Sequence, residues 1–315
     1  MKRLFLAVCT VATLASCSMD EVVSYDKGEV IGFANPFVNK STRAATDPSY
    51  NGTGTLDRFQ VWGTANDLAI YDGDDVTGTV GGGEWTCTEK NYWVKGVEYD
   101  FAALAGYGAA TVGLTTNGLP TSITDFDASA ANVDLIYATA TETGADSNNA
   151  VALTFYHLLS KVKFTVKNNS TAEDLCSFKI TNVTINGKKI GTATLSAVGA
   201  TPATATWDTS SAAAADYTIS DITVGSGVAS VECASELLLI PGSFDISFSV
   251  ETYYNGNMVD TKDYSSSSVP ALTQTLAVGT AYNFIINVSV GNEIKFSVAA
   301  NPSWTDADVN GTTIL

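Results

Sequence analysis

Strict alternation of apolar and polar residues is the feature that most restricts what this chain can fold into. It is clearest at residues 162–166, 244–250 and 282–290, where every second side chain is apolar. This period of two is typical of a β-strand with one buried face. No segment keeps a helical periodicity for longer than about two turns. The sequence therefore predicts an all-β protein whose many short, turn-separated strands form β-sandwiches.

The midpoint of the chain is interpreted as a junction between two domains. Residues 151–159 are almost continuously apolar, as in a strand covered on both faces, and the alternation begins at Val162. We expect a strand, a sharp change of direction near Ser160, and a second, half-buried strand. The length of 315 residues suits two domains of roughly 100–150 residues each. We place these domains at residues 44–152 and 153–315.

Local signals add detail to this picture. The dipeptide Asn186-Gly187 predicts a hairpin turn, and a change of phase between Ile180 and Val183 predicts a β-bulge. Residues 72–75, Asp-Gly-Asp-Asp, are interpreted as a turn. Their oxygens suit a hard cation, but the twelve-residue ligand spacing of an EF-hand is missing.

The N-terminus has the organisation of an export signal. Lys2 and Arg3 precede an apolar core at residues 4–14, which is too short to span a bilayer of about 30 Å as a helix. Residues 14–17, Leu-Ala-Ser-Cys, resemble a bacterial lipobox. The resemblance implies that residues 1–16 are a lipoprotein signal peptide and that Cys17 is lipidated.

Composition limits the classes of partner and chemistry. Acidic residues outnumber basic ones 33 to 16, for a net charge of −17. This balance argues against nucleic acid and a bare anionic membrane as partners, although acidity can also serve solubility alone. Only three cysteines follow Cys17, at positions 87, 176 and 233, which is too few for a disulfide framework.

The sequence shows no catalytic or cofactor-binding constellation. His157 is the only histidine and lies in an apolar strand, where a core or interdomain residue is the expected role rather than a general base. No G-x-S-x-G is present, and the glycine run at 81–83 lacks the Lys-Ser/Thr of a phosphate-binding loop. With one histidine and scattered thiols, a zinc site is also not expected. We therefore predict neither an enzyme nor a cofactor.

Arg43 stands in a short polar segment after a poorly patterned stretch at residues 20–50. The chain has only two other arginines, Arg3 and Arg58. Small, polar surroundings favour exposure and proteolysis, so cleavage between Arg43 and Ala44 by a trypsin-like protease is one interpretation. An ordinary surface arginine is the other.

Several motifs together resemble the fimbrillin family of Bacteroidales, the subunits of type V pili. Besides the lipobox and Thr42-Arg43-Ala44, the matching residues are Phe155-x-His157-x-Leu159-Ser160-Lys161-Val162-x-Phe164, Leu239-Ile240-Pro241, and Gly279-x-x-Tyr282-x-Phe284 with Ile294-x-Phe296 and Trp304. The resemblance implies two transthyretin-like β-sandwich domains in tandem. It also implies a structural fimbrial subunit at the outer membrane and cell surface, which supports adhesion.

The family's maturation route is implied by the same resemblance. An arginine-specific protease would remove residues 17–43, including a strand with Val30, Ile31 and Phe33. Another subunit would then fill the open groove with its own strand, because an uncovered sheet edge has unpaired N–H and C=O groups. The donor strand is expected in the C-terminal region, with Ile294, Phe296 and Val298 as candidates. The alternative is that these residues close their own sheet as a hairpin with residues 282–290.

Two other functions remain open from the sequence. One is a surface lipoprotein that does not polymerise and binds a glycan or another host or bacterial surface molecule. The aromatic residues available for stacking are Trp62, Trp85, Trp93, Tyr107, Tyr253 and Tyr254. The other is a tip or anchor protein of the fimbria.

Overall fold

The computed structural model describes residues 28–38, 49–50, 54–79, 85–129, 133–145, 147–171, 175–291, 294–301 and 312–313. These residues form 25 β-strands and a short 3-10 helix, Pro270–Leu272. Within the described ranges no α-helix occurs. The prediction of an all-β protein is confirmed.

Seven strands form the N-terminal sheet. Their spatial order is Phe37–Val38 (β1), Thr154–His157 (β11), Ile136–Thr143 (β10), Glu98–Ala105 (β7), Arg58–Ala65 (β4), Leu68–Thr77 (β5) and Thr86–Cys87 (β6). Both faces of this sheet are covered. Phe59, Val61 and Phe101 belong to the core on one face, and Trp62 and Leu104 to a second core on the other. A separate ladder pairs Ser49–Tyr50 (β2) with Gly54–Thr55 (β3).

A four-stranded sheet joins the two halves of the chain, and we call it the junction sheet. Its strands, in spatial order, are Ala205–Asp208 (β15), Ile190–Leu195 (β14), Pro120–Asp127 (β9) and Thr111–Leu114 (β8). Leu158 and Leu159 lie in the core beneath it, and the Trp207 indole N–H donates to the Leu158 carbonyl at 2.8 Å. The midpoint of the sequence is thus packed where the halves meet.

Two six-stranded sheets form the C-terminal sandwich. One contains Ser160–Asn168 (β12), Ser230–Glu232 (β18), Leu237–Leu239 (β19), Ala281–Val288 (β23), Lys295–Asn301 (β24) and Thr312–Thr313 (β25). The other contains Cys176–Lys188 (β13), Ala214–Ile219 (β16), Ile222–Val224 (β17), Gly242–Tyr254 (β20), Asn257–Ser265 (β21) and Thr273–Leu276 (β22). Side chains of both sheets meet in one core, where the rings of Phe248 and Phe296 stack at 6.4 Å.

The prediction for the midpoint is confirmed in its course and wrong about exposure. The strand β11 ends at His157 and β12 begins at Ser160. Val162 and Phe164 are buried, as expected, but Lys163 and Thr165 on the opposite face are buried too. The strand β12 lies inside its sheet, and the Thr165 hydroxyl donates to Asn283 Oδ1 at 2.9 Å. Its polar face is therefore satisfied by a side chain of the neighbouring strand.

Two turn predictions are wrong, and the bulge prediction is confirmed. Asn186-Gly187 lies within β13, paired with β16. Residues 72–75 lie within β5, where Gly73 has φ = 78° at a shift in register with β4. Each glycine therefore sits in a strand rather than in a turn. The register of β13 with β20 shifts between Thr181 and Thr184, at the expected bulge.

Candidate functional site

Residues 28–38, which we call the arm, contain the described part of the predicted processing region. Val30, Ile31 and Phe33 lie in the arm. Cys17, Arg43 and Ala44 lie outside the described residues. The geometry of the arm is therefore the structural basis for judging whether residues before Arg43 act as a strand.

On one side the main chain of the arm pairs antiparallel with residues 85–93. The arm forms isolated bridges there, from Val30 to Tyr92 and from Phe33 to Trp85. The hydrogen bonds are Ile31 N–H to Asn91 O at 2.8 Å, Trp93 N–H to Glu29 O at 2.9 Å, and Trp85 N–H to Phe33 O at 3.3 Å. The arm therefore provides hydrogen-bond partners for backbone groups of residues 85–93.

On the other side the arm runs parallel to residues 151–155. Phe33 bridges Val151, and β1 at the end of the arm pairs with β11. The hydrogen bonds are Ala34 N–H to Val151 O at 2.9 Å, Val151 N–H to Gly32 O at 2.8 Å, and Phe37 N–H to Leu153 O at 3.1 Å. Because both edges use the arm as partner, its removal would expose two rows of unpaired backbone groups.

The side chains of the arm fill the core beneath the N-terminal sheet. Ile31 and Val38 are buried, whereas Val30 is 43% exposed. Phe33 is fully buried. Its ring packs edge-on against three others, those of Phe59 at 6.0 Å, Tyr71 at 5.9 Å and Phe101 at 6.1 Å. Phe33 is therefore the main apolar anchor of the arm.

The pocket around Phe33 is aromatic and uncharged. Burial raises the pKa of the Tyr71 hydroxyl well above its ordinary value, so this group stays neutral. Trp85 forms one wall, since its ring stacks on Phe59 at 5.5 Å and its indole N–H donates to Asn35 Oδ1 of the arm at 3.1 Å. Sequence reasoning missed this wall. The available signal was the isolated Trp85 and Trp93, two large apolar residues in a weakly patterned segment.

The candidate donor residues lie in or beside β24, which pairs on both sides within its own chain. Phe296 is opposite Ile286 and Val298 is opposite Phe284, both on β23. On its other side, β24 pairs with β25. Phe296 is fully buried, and Ile294 packs partly buried against the same core. The structure thus places these residues in a hairpin with β23, the second of the two arrangements considered from sequence.

His157 lies in the interior at the junction of the two halves. Its Nδ1 contacts the Asp134 carboxylate, and both side chains are buried. The neighbouring Leu158 N–H donates to the Leu135 carbonyl at 2.9 Å. His157 is the last residue of β11, and Asp134 lies just before β10. The contact between them ties these two parts of the chain together, which is the role of a structural residue.

Three of the six candidate stacking residues are unavailable to a ligand, and Tyr253 is half-buried. Trp62, Trp85 and Trp93 are buried in core clusters. Tyr254 is 53% exposed, and Tyr107 is half-buried beside Trp62, with ring centroids 6.3 Å apart. Tyr107 lines a cleft.

Three further findings concern the part of the chain that the structure describes. No three His, Cys, Asp or Glu side chains there are close enough to hold a metal ion. No helix in these ranges is long and apolar enough to cross a membrane. Cys87, Cys176 and Cys233 are free thiols.

Comparison with known proteins gives a family and a fold. The profile of the family described as fimbrillin-like matches residues 42–303. A fimbrial protein from Bacteroides vulgatus has a similar structure, with a TM-score of 0.59 at 13% identity over 88% of this chain and 100% of that one. A putative cell adhesion protein from Bacteroides uniformis gives a TM-score of 0.51 at 18% identity, over 88% and 99%. No curated protein sequence matches the chain.

Proposed function

Because this chain belongs to the fimbrillin-like family, we propose that it is a structural subunit of a cell-surface fimbria and supports adhesion. Its partners would be other subunits of the same or a related kind. The observation that carries the proposal is the arm, which occupies a groove as a strand between two sheet edges. A groove filled in this way suits a subunit that exchanges one strand for another.

The proposed maturation begins at the leader. The precursor is exported as a lipoprotein on Cys17 and reaches the outer membrane. An arginine-specific protease then cuts between Arg43 and Ala44, five residues after the arm ends at Val38. The cut leaves the arm held only by its own contacts, since its covalent link to the domain is lost.

Strand exchange follows from the groove that the arm leaves behind. An empty groove exposes the aromatic pocket of Phe33 and the unpaired backbone groups of residues 85–93 and 151–155. An incoming strand restores those hydrogen bonds and refills the pocket, as in β-strand addition generally. The restored hydrogen bonds and the buried apolar surface both give a filled groove a lower free energy than an open one.

The donor is proposed to come from the C-terminal region of a neighbouring subunit, with Ile294, Phe296 and Val298 as candidates. Donation of β24 requires it to leave its ladder with β23, so a cost accompanies this choice. Val298→Cys tests it, because a disulfide between this residue and a cysteine introduced into the groove of another subunit supports donation by β24. Monomers that never cross-link contradict it.

The test of maturation is substitution of the cleavage site. Arg43→Ala should abolish the cut, and the cells should then show monomer in place of ladders on gels run without boiling. The matched control is Arg58→Lys, because Arg58 is the only other arginine after the leader and lies in β4.

Two outcomes separate the explanations. Ladders from Arg43→Ala as strong as those of the unaltered chain would contradict the proposed mechanism. Loss of ladders in both variants would mean that folding, not cleavage, had been disturbed, and the thermal unfolding of each purified variant checks this directly.

A further inference from the structure

A cleft of about 460 Å³ lies where the N-terminal sheet meets the junction sheet. Its walls are the start of β4, the turn after β7 and the end of β9. The volume falls within the range of small-molecule sites, roughly 300–1,000 Å³. The arm contributes no residue to the lining, and Phe59 links the cleft to the strand groove, since it lines the cleft and packs against Phe33 of the arm.

The cleft combines an apolar floor with a polar rim. The apolar residues of the lining include Leu104, Ala105 and Phe126, which belong to buried core. At the rim lie Arg58, Gln60 and several carboxylates. An apolar surface with a few polar groups around it is the usual composition of a binding site for a small organic ligand.

Tyr107 gives the cleft an aromatic face. The residues before and after it are Gly106 (φ = 81°) and Gly108 (φ = 60°). Because both are glycines, neither adjacent residue has a side chain that could cover the ring. Burial raises the pKa of the Tyr107 hydroxyl, the Asp75 carboxylate adds to the increase, and Arg58 opposes it. The group remains a neutral phenol, which both donates and accepts a hydrogen bond.

A β-bulge places a carboxylate at the rim. Asp125 has φ = 58° and lies where the register of β9 with β14 is irregular. Left-handed backbone is uncommon for residues other than glycine, and bulges often re-aim a side chain beside a functional site. Asp127 is fixed next to it, because its Oδ1 accepts hydrogen bonds from the Ser129 N–H at 2.8 Å and hydroxyl at 2.6 Å.

The charges at the rim select the class of ligand. Three carboxylates, those of Asp57, Asp125 and Asp127, face one guanidinium, that of Arg58. Arg58 is itself 3.8 Å from the carboxylate of Asp75. An anionic ligand would meet net repulsion. Hydroxyl groups suit this rim better, since they donate to carboxylates and accept from Arg58 and Gln60.

We propose that this cleft binds a neutral saccharide of one or two rings, with one apolar sugar face on Tyr107 and the hydroxyl groups on Asp125 and its polar neighbours. The subunit would then carry an adhesive site of its own, in addition to its role in assembly. Because the arm contributes no residue to the lining, the cleft should still bind the saccharide after cleavage at Arg43.

The test uses the full chain without its leader and a panel of lactose, maltose, N-acetyllactosamine and sialyllactose, by saturation-transfer NMR and calorimetric titration. A neutral sugar should bind with a dissociation constant between micromolar and millimolar. Tyr107→Ala and Asp125→Asn should each weaken that binding about tenfold or more. Tyr254→Ala, which removes an exposed tyrosine on the far sandwich, should leave the constant unchanged.

Three results would overturn the proposal. The first is that no neutral sugar of the panel binds at millimolar concentration. The second is that sialyllactose binds more tightly than lactose, which contradicts the charge argument. The third is that Tyr107→Ala and Asp125→Asn both bind as the unaltered chain does. Asp125 is exposed, so its variant keeps the test valid if Tyr107→Ala folds poorly.

Discussion

Truncation of the arm's anchor, Phe33→Ala, is the perturbation whose effect the structure specifies most fully. Phe33 is fully buried and touches three aromatic rings. Removal of a core phenylalanine costs about 3–5 kcal/mol of unfolding free energy, including the cavity left behind. The matched control is Phe37→Ala on the same arm. Phe37 is 39% exposed, and its loss leaves no closed cavity, so about 1 kcal/mol is expected.

The assay is urea unfolding of the uncut chain without its leader, and the unfolding is monitored by tryptophan fluorescence. Trp85 and Trp93 border the arm, so the signal includes its release. Phe33→Ala should unfold at a clearly lower urea concentration than Phe37→Ala. Equal midpoints for the two variants would refute the view that the arm is anchored through the Phe33 pocket.

Cleavage supplies a second control for the same experiment. After the cut at Arg43 and separation of the arm, the two variants and the unaltered chain have identical sequences. Their unfolding curves should then coincide. A difference that persists would show that the cut arm had remained in the groove.

Three further predictions follow from individual contacts. In Gly28→Ala the added β-carbon would lie 2.0 Å from a carbonyl oxygen, whereas at Gly32 the nearest atom is 3.8 Å away; limited proteolysis of the arm should therefore be faster for Gly28→Ala and unchanged for Gly32→Ala. Asp134→Ala should lower the unfolding free energy by about 1–3 kcal/mol, because the buried His157 ring loses its hydrogen-bond partner, and calorimetry that shows no decrease would contradict this. Burial raises the pKa of the Cys87 thiol, so less reactive thiolate is present at pH 8 than in an exposed cysteine; alkylation should be slow in the uncut chain and faster once the arm leaves, and equal rates would contradict it.

The strands of the C-terminal half could be predicted from sequence because their burial is one-sided or nearly so. At residues 244–250 the apolar residues face the core of the sandwich and the residues between them mostly face outward. The bulge in β13 was also predictable, since an extra residue changes the phase of the alternation. At this bulge Asn182 adopts φ = 52°, a conformation that asparagine tolerates better than most residues.

The failed hairpin prediction has a packing explanation. At Gly187 a β-carbon would lie 2.0 Å from the ring of Phe244 on the neighbouring strand. The glycine is therefore required by a close contact within the sheet, not by a turn. A local rule for Asn-Gly cannot detect this, because Phe244 is 57 positions further along the chain.

The junction sheet could not be predicted either, because it pairs strands from the two halves. The strands β9 and β14 are each short, and the residues between them include the whole of β10 to β13. Their alternation is compatible with several partners. The contact between His157 and Asp134 also joins residues that are distant in sequence, so its partner could not be predicted. The interior, structural role of His157 could be predicted, because it is an isolated histidine in an apolar strand.

The candidate site was predictable in composition but not in geometry. The family resemblance implied both that Val30, Ile31 and Phe33 lie on a strand and that this strand is removed. That Phe33 lies among three aromatic rings, and that the arm runs antiparallel to one edge and parallel to the other, depends on residues 59, 71, 85, 101 and 151. These come together only in the folded domain.

The central claim is that the arm occupies the groove only until another strand replaces it, and intact-mass spectrometry of fimbriae purified from cells tests this most directly. The account predicts that the assembled subunit begins at Ala44 and that the arm peptide is absent from the fibres. Fibres built from chains that still begin at a blocked Cys17, or that retain one arm peptide per subunit, would contradict it.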